Sequence, residues 1–271
     1  MTSGTAKPLE VGPDADIYLF STTDLASGRH DALHRMVRSV AQARDERPAR
    51  VIRLLLLLQN AADHPAPDLP DWVEVHAVPR LVPLSTARNI LLQRVDLPCD
   101  PATASVIAFP DDDAWYPAGS LHFITDLIAL DAAADFAVCR SGNAAHSPRI
   151  DTRDQRMRLQ QAISYGSSNT IFVRASLASR LGLFDEQLGL GTPAVAGEDT
   201  DYAIRAWHDA RRARFVDAAL VGHRDNDPLL KRRYFHGALQ AIRKHRSRSF
   251  AARVAFIRKR LIGLRLRLRL R

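Results

Sequence analysis

The chain has 271 residues, 46% of them apolar and 25% charged, a balance that excludes wholesale disorder and suits one large domain or two small ones. Its net charge of +8 conceals two opposite regions: residues 228–271 carry 15 Lys and Arg with no acid, and the rest carries 23 basic against 30 acidic groups, a net of −7. A uniformly basic nucleic-acid binder is disfavoured, because its positive footprint belongs on the folded domain, and without a run of about 18 apolar residues no membrane-spanning helix is expected.

Residues 1–15 have no apolar core, so they read as a loose leader and not a secretory signal. Ile17–Phe20 predicts a strand that runs into Ser21-Thr22-Thr23-Asp24. Residues 29–43 predict a helix with Leu33, Val37 and Val40 on one face. The five leucines at 54–58 fit no amphipathic period and predict a central parallel strand, covered on both sides and ending at Gln59-Asn60. A Pro/Asp-rich loop at 61–71 leads to a strand at Val73–Val78. Ser85 is the expected cap of a helix from Thr86 to Arg94.

Ser105–Phe109 predicts a strand cut off by Pro110 and followed by Asp111-Asp112-Asp113. A helix over 118–134 and a strand at Asp135–Cys139 follow, and residues 141–160 are polar and carry no clear periodicity. Thr170–Val173 reads as a strand, 175–181 as a helix stopped by Gly182, and 189–197 as a glycine-bearing loop. Glu198 to Arg212 is the next helix and Phe215–Val221 the last strand. Cys99 and Cys139 lack metal-ligand spacing and read as free thiols of a reducing compartment.

Strands alternating with helices predict an α/β fold: a mostly parallel sheet flanked by helices, with ligands outside the carboxyl ends of the strands. Four features there carry chemistry. Three adjacent carboxylates at 111–113 repel one another unless a cation lies among them, and Mg²⁺ or Mn²⁺ is the natural partner; a solvated acidic turn is the alternative. In Gly197-Glu198-Asp199-Thr200-Asp201, helix capping accounts for one or two acids, and a third is free to serve as a general base. Arg88, in Leu84-Ser85-Thr86-Ala87-Arg88-Asn89, stands near a helix start where it suits a phosphate or a carboxylate. His223 follows the last strand and reads as a metal or pyrophosphate ligand, or as a solvated imidazole. Trp115 and Tyr116 suit either sugar stacking or packing, and Trp207 reads as core.

In this order, the strand with STT, the ARN, the strand ending in DDD, the run SSNTIFVR, LFDE and GEDTD, and the late His resemble the family 2 glycosyltransferases of GT-A fold, over residues 16–227. The resemblance implies inverting transfer of a hexosyl group from a nucleotide-diphosphate sugar. It implies that Asp113, with Asp111 and His223, holds Mg²⁺ or Mn²⁺, and that Asp111 and Asp112 also contact ribose, sugar or metal-bound water. It makes Asp199 the general base with Glu198 beside it, and gives Thr22, Thr23, Asp24, Asn60 and Arg88 to the donor. Gln59-Asn60 stand where many relatives carry a base-recognising Asp, and Leu84-Ser85 replace a common glycine turn. The expected donor is a UDP-sugar and the expected acceptor a glycan or lipid-linked glycan of cell-surface polysaccharide assembly. A sugar nucleotidyltransferase is the enzymatic alternative, though Ser21–Gly28 supplies only one glycine of a phosphate loop. A non-catalytic module binding sugar nucleotide or membrane is the third.

Residues 228–271 form the basic extension. Leu230, Tyr234, Ala238 and Ile242, widened by Leu229, Phe235 and Leu239, predict an amphipathic helix packed on the catalytic domain. From Ala251 onward, Val254, Ile257, Leu261, Leu264 and Leu268 form an apolar face among arginines, as in a helix lying on an anionic membrane; a frayed, solvated basic tail is the alternative. Residues 248–271 would then place a cytoplasmic enzyme at the inner face of the plasma membrane, and nucleic acid is an unlikely partner.

Overall fold

Leu54–Leu58 are all buried, and their side chains alternate between two cores. Leu54, Leu56 and Leu58 enter one, Leu55 and Leu57 the other. This is the period-2 geometry of a strand with both faces covered. The computed structural model describes residues 16–224 and 232–268, without the side chains of 266–268; the leader, Leu229, Leu230, the side chain of Leu268 and the last three residues lie outside them.

Eight strands form one sheet: β1 (Ile17–Asp24), β2 (Ile52–Gln59), β3 (Val73–Ala77), β4 (Val106–Ala108), β5 (Phe136–Gly142), β6 (Asp154–Arg156), β7 (Ile171–Arg174) and β8 (Ala213–Gly222), in the order β3-β2-β1-β4-β7-β5-β8-β6. The first four are parallel. β7 lies antiparallel between β4 and β5, and β8 runs parallel to β5. The carboxyl ends of β1, β2, β4 and β8 and the amino end of β7 therefore share one edge. The expected α/β sheet flanked by helices is observed.

Helices α1 (His30–Glu46) and α3 (Ser120–Ala129) cover one face through Leu33, Met36, Val40, Leu121, Ile124 and Ile128. Helices α2 (Leu84–Leu92), α4 (Leu159–Tyr165), α5 (Ala175–Leu181) and α6 (Glu198–Asp209) cover the other. Helices α7 (Phe235–His245) and α8 (Phe250–Leu268) add a third layer: Ile242, Ala252 and Ala255 close over Leu159 and Ile204.

Several boundaries differ from expectation. The α2 cap is Pro83; Ser85 is fully buried and donates to the Leu188 carbonyl at 2.6 Å. α3 stops at Ala129, and the buried Arg174 guanidinium takes the Ile128 carbonyl, which a longer helix would use internally, together with those of Asp131 and Ala134. α6 stops at Asp209, and Arg211 and Arg212 turn to Asp135 and Asp131. Within 141–160 lies β6, whose Asp-Gln-Arg sequence has no apolar alternation to reveal it.

α7 is fixed to α6 by close contact and by charge. Asp201 of α6 is fully buried and accepts from His245 Nε2 at 2.7 Å, with Lys244 Nζ at 2.9 Å and Arg205 Nε at 2.8 Å. Burial alone would raise its pKa, but these three partners hold it far below the usual carboxylate range. A Cβ on Gly237 of α7 would meet the Ala196 carbonyl oxygen at 2.1 Å, so only glycine lets the helix lie on the 189–197 loop. Gly237→Val is expected to lower stability by about 1–3 kcal/mol through overpacking, read as a lower midpoint in urea. An unchanged midpoint would mean that α7 does not press on this loop.

Candidate active site

The shared sheet edge gathers residues distant in sequence. At the end of β1, Thr23 Oγ1 donates to Asp112 Oδ2 at 2.6 Å. Thr22 is half-buried beside it, and Asp24 caps the following turn through the Ala26 N–H at 3.0 Å. At the end of β2, Asn60 adopts a left-handed backbone (φ 60°) that Asn tolerates better than most residues. Its side chain donates to Asp24 Oδ1 at 2.7 Å and accepts from the Leu81 N–H at 2.8 Å. Gln59 is turned inward and accepts from the Val82 N–H.

Asp111, Asp112 and Asp113 have separate environments. Asp112 is buried, and burial pushes its pKa up to about 6 against the opposing effects of Thr23 and Arg29, whose Nη1 lies 3.1 Å from Oδ1. Asp113 is nearly as buried; burial would raise its pKa, yet His223, Arg224 and Arg29 hold it below the usual range. Asp111 is half-exposed and receives Asn169 Nδ2 at 2.8 Å, Ser168 Oγ at 3.1 Å and Arg88 Nη2 at 3.1 Å.

His223 closes the group from β8. Its Nδ1 lies 2.9 Å from the Arg224 carbonyl, which fixes that nitrogen as the donor and leaves Nε2 to face the acids. Nε2 is 3.2 Å from Asp113 Oδ1 and 3.9 Å from Asp111 Oδ2. Asp113 Oδ1 and His223 Nε2 are both buried and lack a hydrogen-bond partner. Ligand atoms of Asp111, Asp113 and His223 lie within 4.8 Å of one another. Two carboxylates and an imidazole lone pair, two of whose three ligand atoms are buried and orphaned, suit a hard to borderline divalent cation.

The second acidic motif is joined to the first by Arg88. This buried guanidinium donates from Nη1 to Asp199 Oδ1 at 2.7 Å and from Nη2 to Asp111 Oδ1, with Glu198 Oε1 at 3.8 Å. The Ser168 N–H donates to Asp199 Oδ2 at 2.9 Å. Burial raises the Asp199 pKa, with Arg88 opposing and the Asp111 charge reinforcing. Burial and the Asp199 charge push Glu198 up to about 8, with Arg88 opposing.

Residues of α2 hold this arrangement. Asn89 donates to the Phe184 carbonyl at 3.0 Å and accepts from the Phe184 N–H at 2.8 Å, which docks the Leu-Phe-Asp-Glu stretch on α2. Trp115 pairs through its backbone with Gly222, and its ring lies 1.9 Å from where a Cβ on that glycine would stand. Arg35 stacks over Trp115 at 4.0 Å and donates to the Asp113 carbonyl. Tyr116 is core. Arg29, Arg224, Ser168 and Asn169 complete the site without having been given a role from sequence. Asn169 stands inside the SSNTIFVR motif, which was the available signal; the two arginines have no local one.

No family model matches the chain, and no curated protein matches it. Solved structures do. The chain matches S. aureus TarS with a TM-score of 0.56 at 12% identity, over 86% of this chain and 40% of that one. It matches S. aureus TarS 1–349 in complex with UDP-GlcNAc with a TM-score of 0.56 at 13% identity, over 86% and 67% of the two chains. The chain has a GT-A-like glycosyltransferase fold. The mannosyltransferase PcManGT from Pyrobaculum calidifontis, in complex with GDP-Man and Mn²⁺, has it too, with a TM-score of 0.56 at 14% identity over 88% and 67%. The chain thus spans 40% of TarS and about two thirds of the other two.

Glu198 holds its proton more tightly in the folded chain than at its ordinary value of 4.5. The stability gained is full below that value and is lost as pH rises through about 8. Glu198→Gln keeps the shape and removes the titration. In metal-free protein it is expected to flatten the fall in melting temperature from about pH 5 to about pH 9. A slope equal to that of the wild type would mean that Glu198 does not bind its proton more tightly on folding.

Proposed function

We propose that the protein is an inverting, metal-dependent glycosyltransferase that moves a sugar from a nucleotide-diphosphate donor to a hydroxyl of a glycan or lipid-linked acceptor. The observation that carries the reading is the convergence of Asp111, Asp113 and His223, with two orphaned buried atoms, beside a part-buried carboxylate at the start of α6. The GT-A-like fold supports it, as do sugar nucleotides bound to structures of the same fold.

Asp113, Asp111 and His223 would hold Mg²⁺ or Mn²⁺. When bound, the cation supplies positive charge to a leaving diphosphate. Thr22, Thr23, Asp24 and Asn60 line the ends of β1 and β2, where the nucleoside would lie. The end of β2 carries Gln59 and Asn60 in place of a carboxylate, and Asn60 is paired with Asp24 at the end of β1. A UDP-sugar is our proposed donor. The acceptor's product is proposed to belong to cell-surface polysaccharide.

Asp199 is proposed as the base. Its raised pKa makes it a stronger proton acceptor than an ordinary carboxylate. Arg88 and the Ser168 N–H each take one lone pair of a carboxylate oxygen, and the remaining lone pairs are available to an acceptor hydroxyl. As the acceptor oxygen bonds to the anomeric carbon, the bond from that carbon to the diphosphate oxygen breaks. The hydroxyl proton passes to Asp199, and the diphosphate leaves with the electron pair. One displacement inverts the anomeric centre. Glu198, protonated near neutral pH, is a neutral neighbour that spares Asp199 further repulsion.

Asp199→Asn is expected to lower transfer by about 100- to 10,000-fold while donor binding, followed by thermal shift with Mn²⁺, persists. A variant that keeps most of its rate would place the base elsewhere. Asp113→Asn is expected to lose both transfer and the Mn²⁺-dependent stabilisation by nucleoside diphosphates. Retention of both would remove the cation from Asp113. A thermal-shift panel of UDP, GDP and their sugars on the wild type tests the nucleotide.

A further inference from the structure

The inner side of α8 is buried: Ala252 and Ala255 pack against α4, α6 and α7, and Phe235 lies against Gly263 and under Lys259. The outer side is not. Phe250, Val254, Ile257, Leu261 and Leu264 are exposed at 80%, 46%, 51%, 53% and 52%. Their spacing of four, then three, then four, then three keeps them on one line along a helix. At about 100° per residue, Arg253 and Arg260 fall on one flank of that line and Arg258 and Arg265 on the other. All four arginines are exposed. No described helix is long and apolar enough to cross a membrane.

Such a stripe calls for a cover. A second copy is the first candidate, because the spacing is that of a coiled-coil seam. Paired seams are normally flanked by opposite charges. Here every flanking charge is positive, and residues 228–271 hold no acid, so pairing would set arginine rows against arginine rows. An apolar interior bordered on both sides by cations matches instead the section through an anionic bilayer surface: acyl chains in the middle, phosphates at the edges.

We propose that α8 lies flat on an anionic lipid surface, with Phe250, Val254, Ile257, Leu261 and Leu264 among the acyl chains and Arg253, Arg258, Arg260 and Arg265 at the headgroup phosphates. The flanking arginines keep their charge at the interface while their stems cover apolar surface. The inner side of α8 stays on the catalytic domain, so docking needs no unfolding. This surface stands apart from the transfer reading, because none of its residues belongs to the site of Asp111, Arg88 and Asp199.

The test is sedimentation of the full chain with vesicles of equal parts phosphatidylglycerol and phosphatidylcholine, and with phosphatidylcholine alone. Binding to the mixed vesicles is expected to exceed binding to the neutral ones by at least about tenfold and to weaken with salt. Ile257→Glu with Leu261→Glu, both at exposed positions, is expected to lower binding by at least about tenfold with an unchanged melting temperature. Transfer to a soluble acceptor should be unaffected, which separates failure here from failure of the transfer reading. Equal sedimentation of the double variant and the wild type, or no preference for the anionic vesicles, overturns the proposal. So does a wild-type dimer in solution that the double variant converts to a monomer, since the stripe would then be a self-association seam.

Discussion

The site depends on one buried cation. Arg88 is the guanidinium that Asp111, Glu198 and Asp199 share, and it is almost wholly removed from water. Burying an arginine is tolerable only with partners of opposite charge and good geometry, and removing one side of such a pair leaves an uncompensated charge. The acids have the converse problem, because three ionised carboxyl groups in a part-buried pocket would repel each other, and Glu198 answers by holding its proton. Each side makes the other tolerable. The strand edge that carries Asp111 and the helix start that carries Asp199 are thereby held in one geometry.

That geometry gives the two acidic motifs different tasks. Asp111 turns Oδ1 toward Arg88 and Ser168 and Oδ2 toward Asn169 and His223, so it belongs to both halves of the site. Asp113 meets His223, Arg224 and Arg29, which hold its carboxyl below the usual range, whereas Glu198 and Asp199 share Arg88 with Asp111 and are raised. The acid at the strand end is kept charged, and the acids at the helix start hold their protons more tightly. The proposed division between a cation site and a base is consistent with this asymmetry.

Much of the fold was legible because it rests on local pattern. The leucine run can only be a strand covered on both faces, and the carboxylate runs after β4 and at the start of α6 announce themselves by cost. What was not legible depends on distant partners. Ser85 looks like a cap, yet its hydroxyl is taken by Leu188, 103 residues away. α3 looks longer than it is because nothing local says that Arg174 will take the Ile128 carbonyl and those of the turn beyond Ala129. Asn169 was visible as part of a motif, but its pairing with Asp111 across 58 residues was not. Arg29 and Arg224 resemble any surface arginine until the sheet closes. The extension after residue 227 read as an appendage in charge, whereas α7 supplies His245 and Lys244 to Asp201, two residues beyond Asp199.

This last contact bears on the order of events during synthesis. Asp201 is fully buried, and its partner His245 is made 44 residues later. Until then the start of α6 carries an acid whose compensation rests on Arg205 alone, and the 189–197 loop lacks the wall that Gly237 completes. Asp111, Asp113 and His223 are all present in the nascent chain once Arg224 has emerged, whereas the remaining partners of Asp201 wait for α7. A chain ending before His245 would leave the start of α6 without them. The segment that leads into α8 is thus also the one that finishes the surroundings of the helix carrying Asp199.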